Sequence, residues 1–233
     1  MQAVWRRLGV AASLVVCVLL ASCSSCKGHV DVLKAPPPTP LETNTDDRPK
    51  VVILGDSITA GLGLVETQSF PGLLQQKADA EGLDFEVING GVSGDTSAGG
   101  LRRLDWALEG DVRVLVVALG ANDGLRGLSV GEMKRNLAQI IETADARKVV
   151  VILAGMEAPP NYGPEYASSF RQAYQDLAGQ YRVRFIPFLL DKVAGQPSLN
   201  QADGIHPNAQ GSAIVADTVW AVLRPVLDQI ANS

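Results

Sequence analysis

From Lys50 onward, short runs of β-branched and other apolar residues alternate with stretches of helical periodicity, and this alternation limits the fold more than any other feature. Val51 to Leu54, Phe85 to Ile88, Val112 to Leu119, Val149 to Leu153 and Val183 to Ile186 read as strands. Helical patterns lie between them over Phe70 to Glu81, Thr96 to Leu108, Ser129 to Arg147 and Glu165 to Tyr181, followed by one over Asn208 to Ile230 in which Pro225 is a candidate break. Strands that are apolar throughout are buried on both faces, so the reading is an α/β fold with a five-stranded parallel sheet covered by helices on each side. About 180 residues suffice for such a three-layer core. The chain is 46% hydrophobic and 19% charged, a globular composition. With 20 Lys and Arg against 25 Asp and Glu its net charge is −5, which speaks against nucleic acid as a partner.

The first 49 residues read differently. Arg6 and Arg7 precede an apolar run from Leu8 to Leu20, too short to span a bilayer and in keeping with a secretory signal. Leu20-Ala21-Ser22-Cys23 resembles the bacterial lipobox, which implies a signal peptide over residues 1–22 and a lipidated Cys23 as the mature first residue. Cys17 then leaves with the signal and Cys26 is the lone thiol, so no internal disulfide forms. Residues 23–49, with Pro36-Pro37-Pro38-Thr39-Pro40 at their centre, lack apolar periodicity and read as a tether, leaving the folded domain at 50–230. Acyl chains on Cys23 imply membrane attachment in the bacterial envelope, facing the periplasm. Ser24, in place of aspartate after the cysteine, points to the outer membrane by resemblance to the usual sorting signal.

Open parallel sheets bind ligands beyond the carboxyl ends of their strands. Gly55-Asp56-Ser57-Ile58-Thr59 follows the first strand, Asn89-Gly90-Gly91-Val92-Ser93-Gly94-Asp95-Thr96 the second, and Gly120-Ala121-Asn122-Asp123 the third. Asp203-Gly204-Ile205-His206-Pro207 precedes the last helix. His29 falls in the tether, so His206 is the only histidine of the folded part that can act as a base. An aspartate three residues earlier can orient its ring, and Ser57 is a nucleophile that needs such a base. Ser57, Asp203 and His206 thus form a candidate hydrolytic triad. The backbone N–H groups of Ser57 and Gly94 and the side-chain amide of Asn122 are candidate donors to an oxyanion. Asp56 is expected to shape the turn that holds Ser57, and Asp123 to buttress Asn122.

These four segments, in this order, resemble the SGNH/GDSL hydrolase superfamily. Ser93-Gly94-Asp95-Thr96, the stretch from Gly120 to Gly127, Asn161-Tyr162-Gly163 and the stretch from Asp203 to Asn208 are similar to its bacterial thioesterase I, lysophospholipase and arylesterase branch. The resemblance implies a flavodoxin-like αβα sandwich, the roles just given to Ser57, Gly94, Asn122, Asp203 and His206, and hydrolysis of carboxylic esters and thioesters. It implies no metal and no organic cofactor. A monomer is expected. Two other readings stay open: an acetyl-specific carbohydrate esterase using the same triad, and a binding lipoprotein without catalysis.

Gly127-Leu128-Ser129-Val130-Gly131 fits the α/β-hydrolase nucleophile elbow, but no strand leads directly into it, and Ser129 with Glu132 reads as a helix cap. The glycines at Gly94 and Gly99 lack the lysine of a phosphate loop, because Gly100 stands there. Leu125, Leu128 and Tyr162 are the candidate substrate-binding residues, with Leu62, Leu64 and Tyr166 as further candidates for an acyl groove or for core packing.

Overall fold

The computed structural model describes residues 48–232. The signal peptide, Cys23 and all but the last two residues of the tether lie outside the described residues. Five strands, β1 (Lys50–Gly55), β2 (Glu86–Gly91), β3 (Val112–Ala118), β4 (Val150–Ala154) and β5 (Arg184–Ile186), form one parallel sheet in the order β2-β1-β3-β4-β5. β1 and β3 are buried almost throughout, as expected of central strands walled by helices. The helices are α1 (Ser57–Ala60), α2 (Phe70–Ala80), α3 (Ser97–Arg102), α4 (Leu104–Ala107), α5 (Ala121–Leu125), α6 (Val130–Ala146), α7 (Pro164–Tyr181) and α8 (Ala209–Ala231). α2 packs with α8, and α6 packs with both α3 and α7, closing the sheet on its two faces.

Strand positions agree with the sequence reading to within a few residues, and the departures have physical reasons. β2 runs on through Asn89-Gly90-Gly91, because these pair in register with Ile53, Leu54 and Gly55 of β1 and the ladder outweighs their turn chemistry. The helix expected from Thr96 to Leu108 is two helices, interrupted at Arg103. Conversely, α8 is continuous through Pro225. That ring is exposed, and Leu223, Val226 and Leu227 on the buried face keep the helix seated despite the lost backbone bond. α1 and α5 are short helices in segments to which the sequence periodicity assigns no helix, and both carry site residues.

The strand order reverses direction between β1 and β3, and the loops beyond their carboxyl ends make the crevice that such a switch point creates. Ser57 follows β1 and Asn122 follows β3, so the topology alone places them on either side of it.

Candidate active site

Ser57 is the first residue of α1, set there by strand and cap. Gly55 ends β1 beneath Thr59, where a Cβ would meet the Thr59 hydroxyl oxygen at 1.9 Å, so only glycine lets the helix fold back this closely. Asp56 caps α1 by accepting from the Ile58 N–H at 3.0 Å. The Ser57 N–H, first of the helix, therefore has no intrahelical acceptor.

Ser57 Oγ lies 2.8 Å from His206 Nε2, and His206 Nδ1 lies 2.6 Å from Asp203 Oδ2. An ionised carboxylate only accepts, so Nδ1 carries the proton and Nε2 accepts from the serine hydroxyl. Asp203 Oδ1 also takes the N–H groups of Ile205 and His206 at 2.9 and 3.0 Å, which bends the loop around the ring. The bond to the His206 ring, with these two backbone donors, pulls the Asp203 carboxyl down to about 2. Gln201 ties the loop in place: its N–H donates to His206 O at 2.8 Å, and its Nε2 to Leu62 O and Pro207 O at 2.6 and 3.0 Å.

Opposite stand the candidate oxyanion donors. Gly94 has φ +84°, a conformation that favours glycine, and its carbonyl is held by Arg126 Nη2 at 2.8 Å. Asn122 Nδ2 faces Asp95 O at 2.9 Å and Asp56 Oδ2 at 3.3 Å. Both neighbours are acceptors, which fixes the nitrogen end of the amide. Asp123 does not buttress Asn122 directly as expected. Its carboxylate takes the Ser97 hydroxyl at 2.6 Å and the Ser97 N–H at 2.8 Å, and so ties α5 to the start of α3.

Asp56 is 1% exposed, and burial raises its carboxyl to about 6, against the pull of the Ile58 N–H, His206 and Asn122. Between its ordinary 3.8 and about 6 the folded chain keeps a proton that the unfolded chain releases, so stability falls as pH rises through that window and levels above it. The expected loss is about 3 kcal/mol, and Asp56→Asn, which keeps an acceptor for Ile58, should flatten it. Urea unfolding from pH 4 to 7 measures both chains. An unchanged slope in the variant would place its source elsewhere.

A cleft of about 240 Å³ bordered by Ser57, Gly94, Asn122 and His206 joins these groups. Through Ile58, Ala121, Leu125 and Ile205 it adjoins a second cleft of about 460 Å³ walled by Met156, Phe188 and Leu190. Of the three candidate substrate-binding residues only Leu125 lines them. The Tyr162 hydroxyl donates to Leu125 O at 3.2 Å while its ring covers Gly127, and Leu128 O accepts from Tyr166 at 2.8 Å, so these residues shape the loop that presents Leu125. Ser129 caps α6 through the Glu132 N–H, as its spacing suggested. Ile205 and the walls at Phe188 and Leu190 escape sequence reading, since nothing local separates an apolar groove wall from core.

A serine, imidazole and carboxylate in hydrogen-bonded sequence, at the switch point of a parallel sheet, define a hydrolase of the serine type. The chain belongs to the GDSL-like lipase/acylhydrolase family, whose model matches residues 53–214. It is similar to esterase TesA of Pseudomonas aeruginosa, 42% identical over 76% of this chain and 89% of that protein. It is also similar to thioesterase 1/protease 1/lysophospholipase L1 of Escherichia coli K12, at 35% over 76% of this chain and 85% of that one. The crystal structure of the psychrotrophic esterase EstA from Pseudoalteromonas sp., inhibited by monoethylphosphonate, superposes with TM-score 0.73 at 35% identity, covering 77% of this chain and 98% of that one.

Proposed function

We propose that the protein is a serine esterase that hydrolyses carboxylic esters and thioesters through an acyl-enzyme on Ser57. The unbroken path from Ser57 Oγ through the His206 ring to Asp203, opening on a cleft edged by Gly94 and Asn122, carries this reading. Ser57 Oγ attacks the acyl carbonyl as His206 Nε2 takes its proton, and Asp203 holds and balances the imidazolium. The carbonyl electron pair becomes an oxyanion, received by the N–H groups of Ser57 and Gly94 and by Asn122. Asn122 gives up the longer of its two bonds, the one to Asp56, to do so. Collapse expels the alcohol or thiol, which takes the proton from His206. Water, deprotonated by the same ring, then releases the acid.

The second cleft takes the acyl chain, with Leu125 at its mouth. Apart from Trp106 and Val150, the exposed large hydrophobics lie in the loops and short helical turns that connect the strands to the longer helices, which suits an apolar substrate. A series of p-nitrophenyl esters from acetyl to palmitoyl, with Ser57→Ala alongside, tests the reading. Medium or long chains are expected to be preferred, and Leu125→Trp should shift the optimum to shorter ones. A profile confined to acetyl would replace this reading with the carbohydrate deacetylase, and absence of Ser57-dependent turnover would refute both. Attachment through Cys23 belongs to the same proposal and is read in the same assay. Activity should sediment with membranes for the full chain and become soluble in Cys23→Ala, whereas activity soluble in both would remove the anchor.

A further inference from the structure

The break between α3 and α4 falls on Arg103, at φ −106° and ψ 11°, and its guanidinium turns inward beneath the site. Nε donates to Asp95 Oδ2 at 2.6 Å and Nη2 to Gly55 O at 2.7 Å. The two side chains are shielded, 18% and 16% exposed. Nη1 is buried without an acceptor among the described residues. Gly99, one turn earlier on the same face, leaves room for the partner: a Cβ there would stand 2.3 Å from Asp95 Oδ1.

Both acceptors belong to segments that carry the site. Gly55 stands two residues before Ser57, and Asp95 directly follows Gly94. The Asp95 carbonyl in turn takes Asn122 Nδ2 at 2.9 Å. We infer that Arg103 is the positioning residue of the oxyanion pocket: one guanidinium sets the spacing of the donors from Ser57, Gly94 and Asn122 without touching substrate. The inference rests on the serine-esterase reading. Preorganised donors lose their value when displaced by about 0.5 Å, so the clamp acts on the rate and not on substrate affinity.

The full chain and its Arg103→Met and Arg103→Lys variants decide the matter through kcat, KM and inhibition by an alkyl trifluoromethyl ketone. Ser57 Oγ adds to that ketone, its proton passes to His206, and the alkoxide occupies the oxyanion pocket. Arg103→Met is expected to lose roughly 100-fold in kcat with KM within about threefold of wild type, and the inhibition constant should rise by the same factor as kcat falls. Arg103→Lys keeps Asp95 but cannot also reach Gly55 O, and should lose about tenfold in both. The pH profile of kcat/KM stays that of wild type, since the triad is untouched. A folded variant with wild-type kcat overturns the inference, and so does a loss of kcat without a matching loss of inhibitor affinity. If Arg103→Met fails to fold, Arg103→Lys decides by the same readings. Absence of Ser57-dependent turnover in the wild type would instead defeat the esterase reading itself.

Discussion

Replacing Ser57 with alanine should lower kcat on a carboxylic ester by roughly 10⁴-fold or more while leaving the fold intact. The size follows from the mechanism: without Oγ no acyl-enzyme forms, and only binding and the oxyanion donors remain to assist attack by water. The intact fold follows from position. Ser57 is half-buried at the cleft, and among the described residues its hydroxyl bonds only to His206, so the change leaves no large cavity and no stranded core group. Turnover and thermal unfolding, measured on the same preparation, check both halves. A variant that keeps a tenth of wild-type turnover would rule out Ser57 as the nucleophile.

His206→Ala should cost nearly as much, and the Ser57→Ala, His206→Ala double variant no more than either alone. Groups that act in one proton transfer are strongly non-additive, because removing either disables the same step. His206 has two functions in the geometry: Nε2 receives the Ser57 proton, and Nδ1 transmits the orientation set by Asp203. With alanine there, Ser57 loses its base and Asp203 loses the partner that chiefly holds its carboxyl low. Single-turnover measurements on the three variants test this. Losses that multiply in the double variant would mean that Ser57 and His206 act in separate steps.

The sheet was legible because β1, β3 and β4 are buried on both faces, and that burial writes itself as unbroken apolar runs such as Val114 to Leu119. The triad was legible because its three members sit within sequence blocks that end strands or precede a helix, with a single histidine available. What escaped the sequence depends on tertiary approach. The break at Arg103 interrupts no periodicity, since the residue leaves its helix to reach a carbonyl 48 positions away. Continuity at Pro225 depends on a ring facing solvent, which periodicity alone does not decide. Tyr162 and Leu128 lie close in sequence to the site, yet the Tyr162 hydroxyl is spent on Leu125 O and the Leu128 backbone carbonyl on Tyr166, and neither residue lines the clefts. Asp123 stands beside Asn122 in sequence but spends its carboxylate on Ser97, a partner 26 residues away.

Covalent capture of the nucleophile tests the central claim most directly. The full chain is treated with a medium-chain alkyl fluorophosphonate, weighed intact by mass spectrometry and mapped by peptide analysis. A single adduct on Ser57, formed at a rate that collapses in His206→Ala, is the predicted result. An adduct on another serine such as Ser93 or Ser129, or none while ester hydrolysis proceeds, would contradict it.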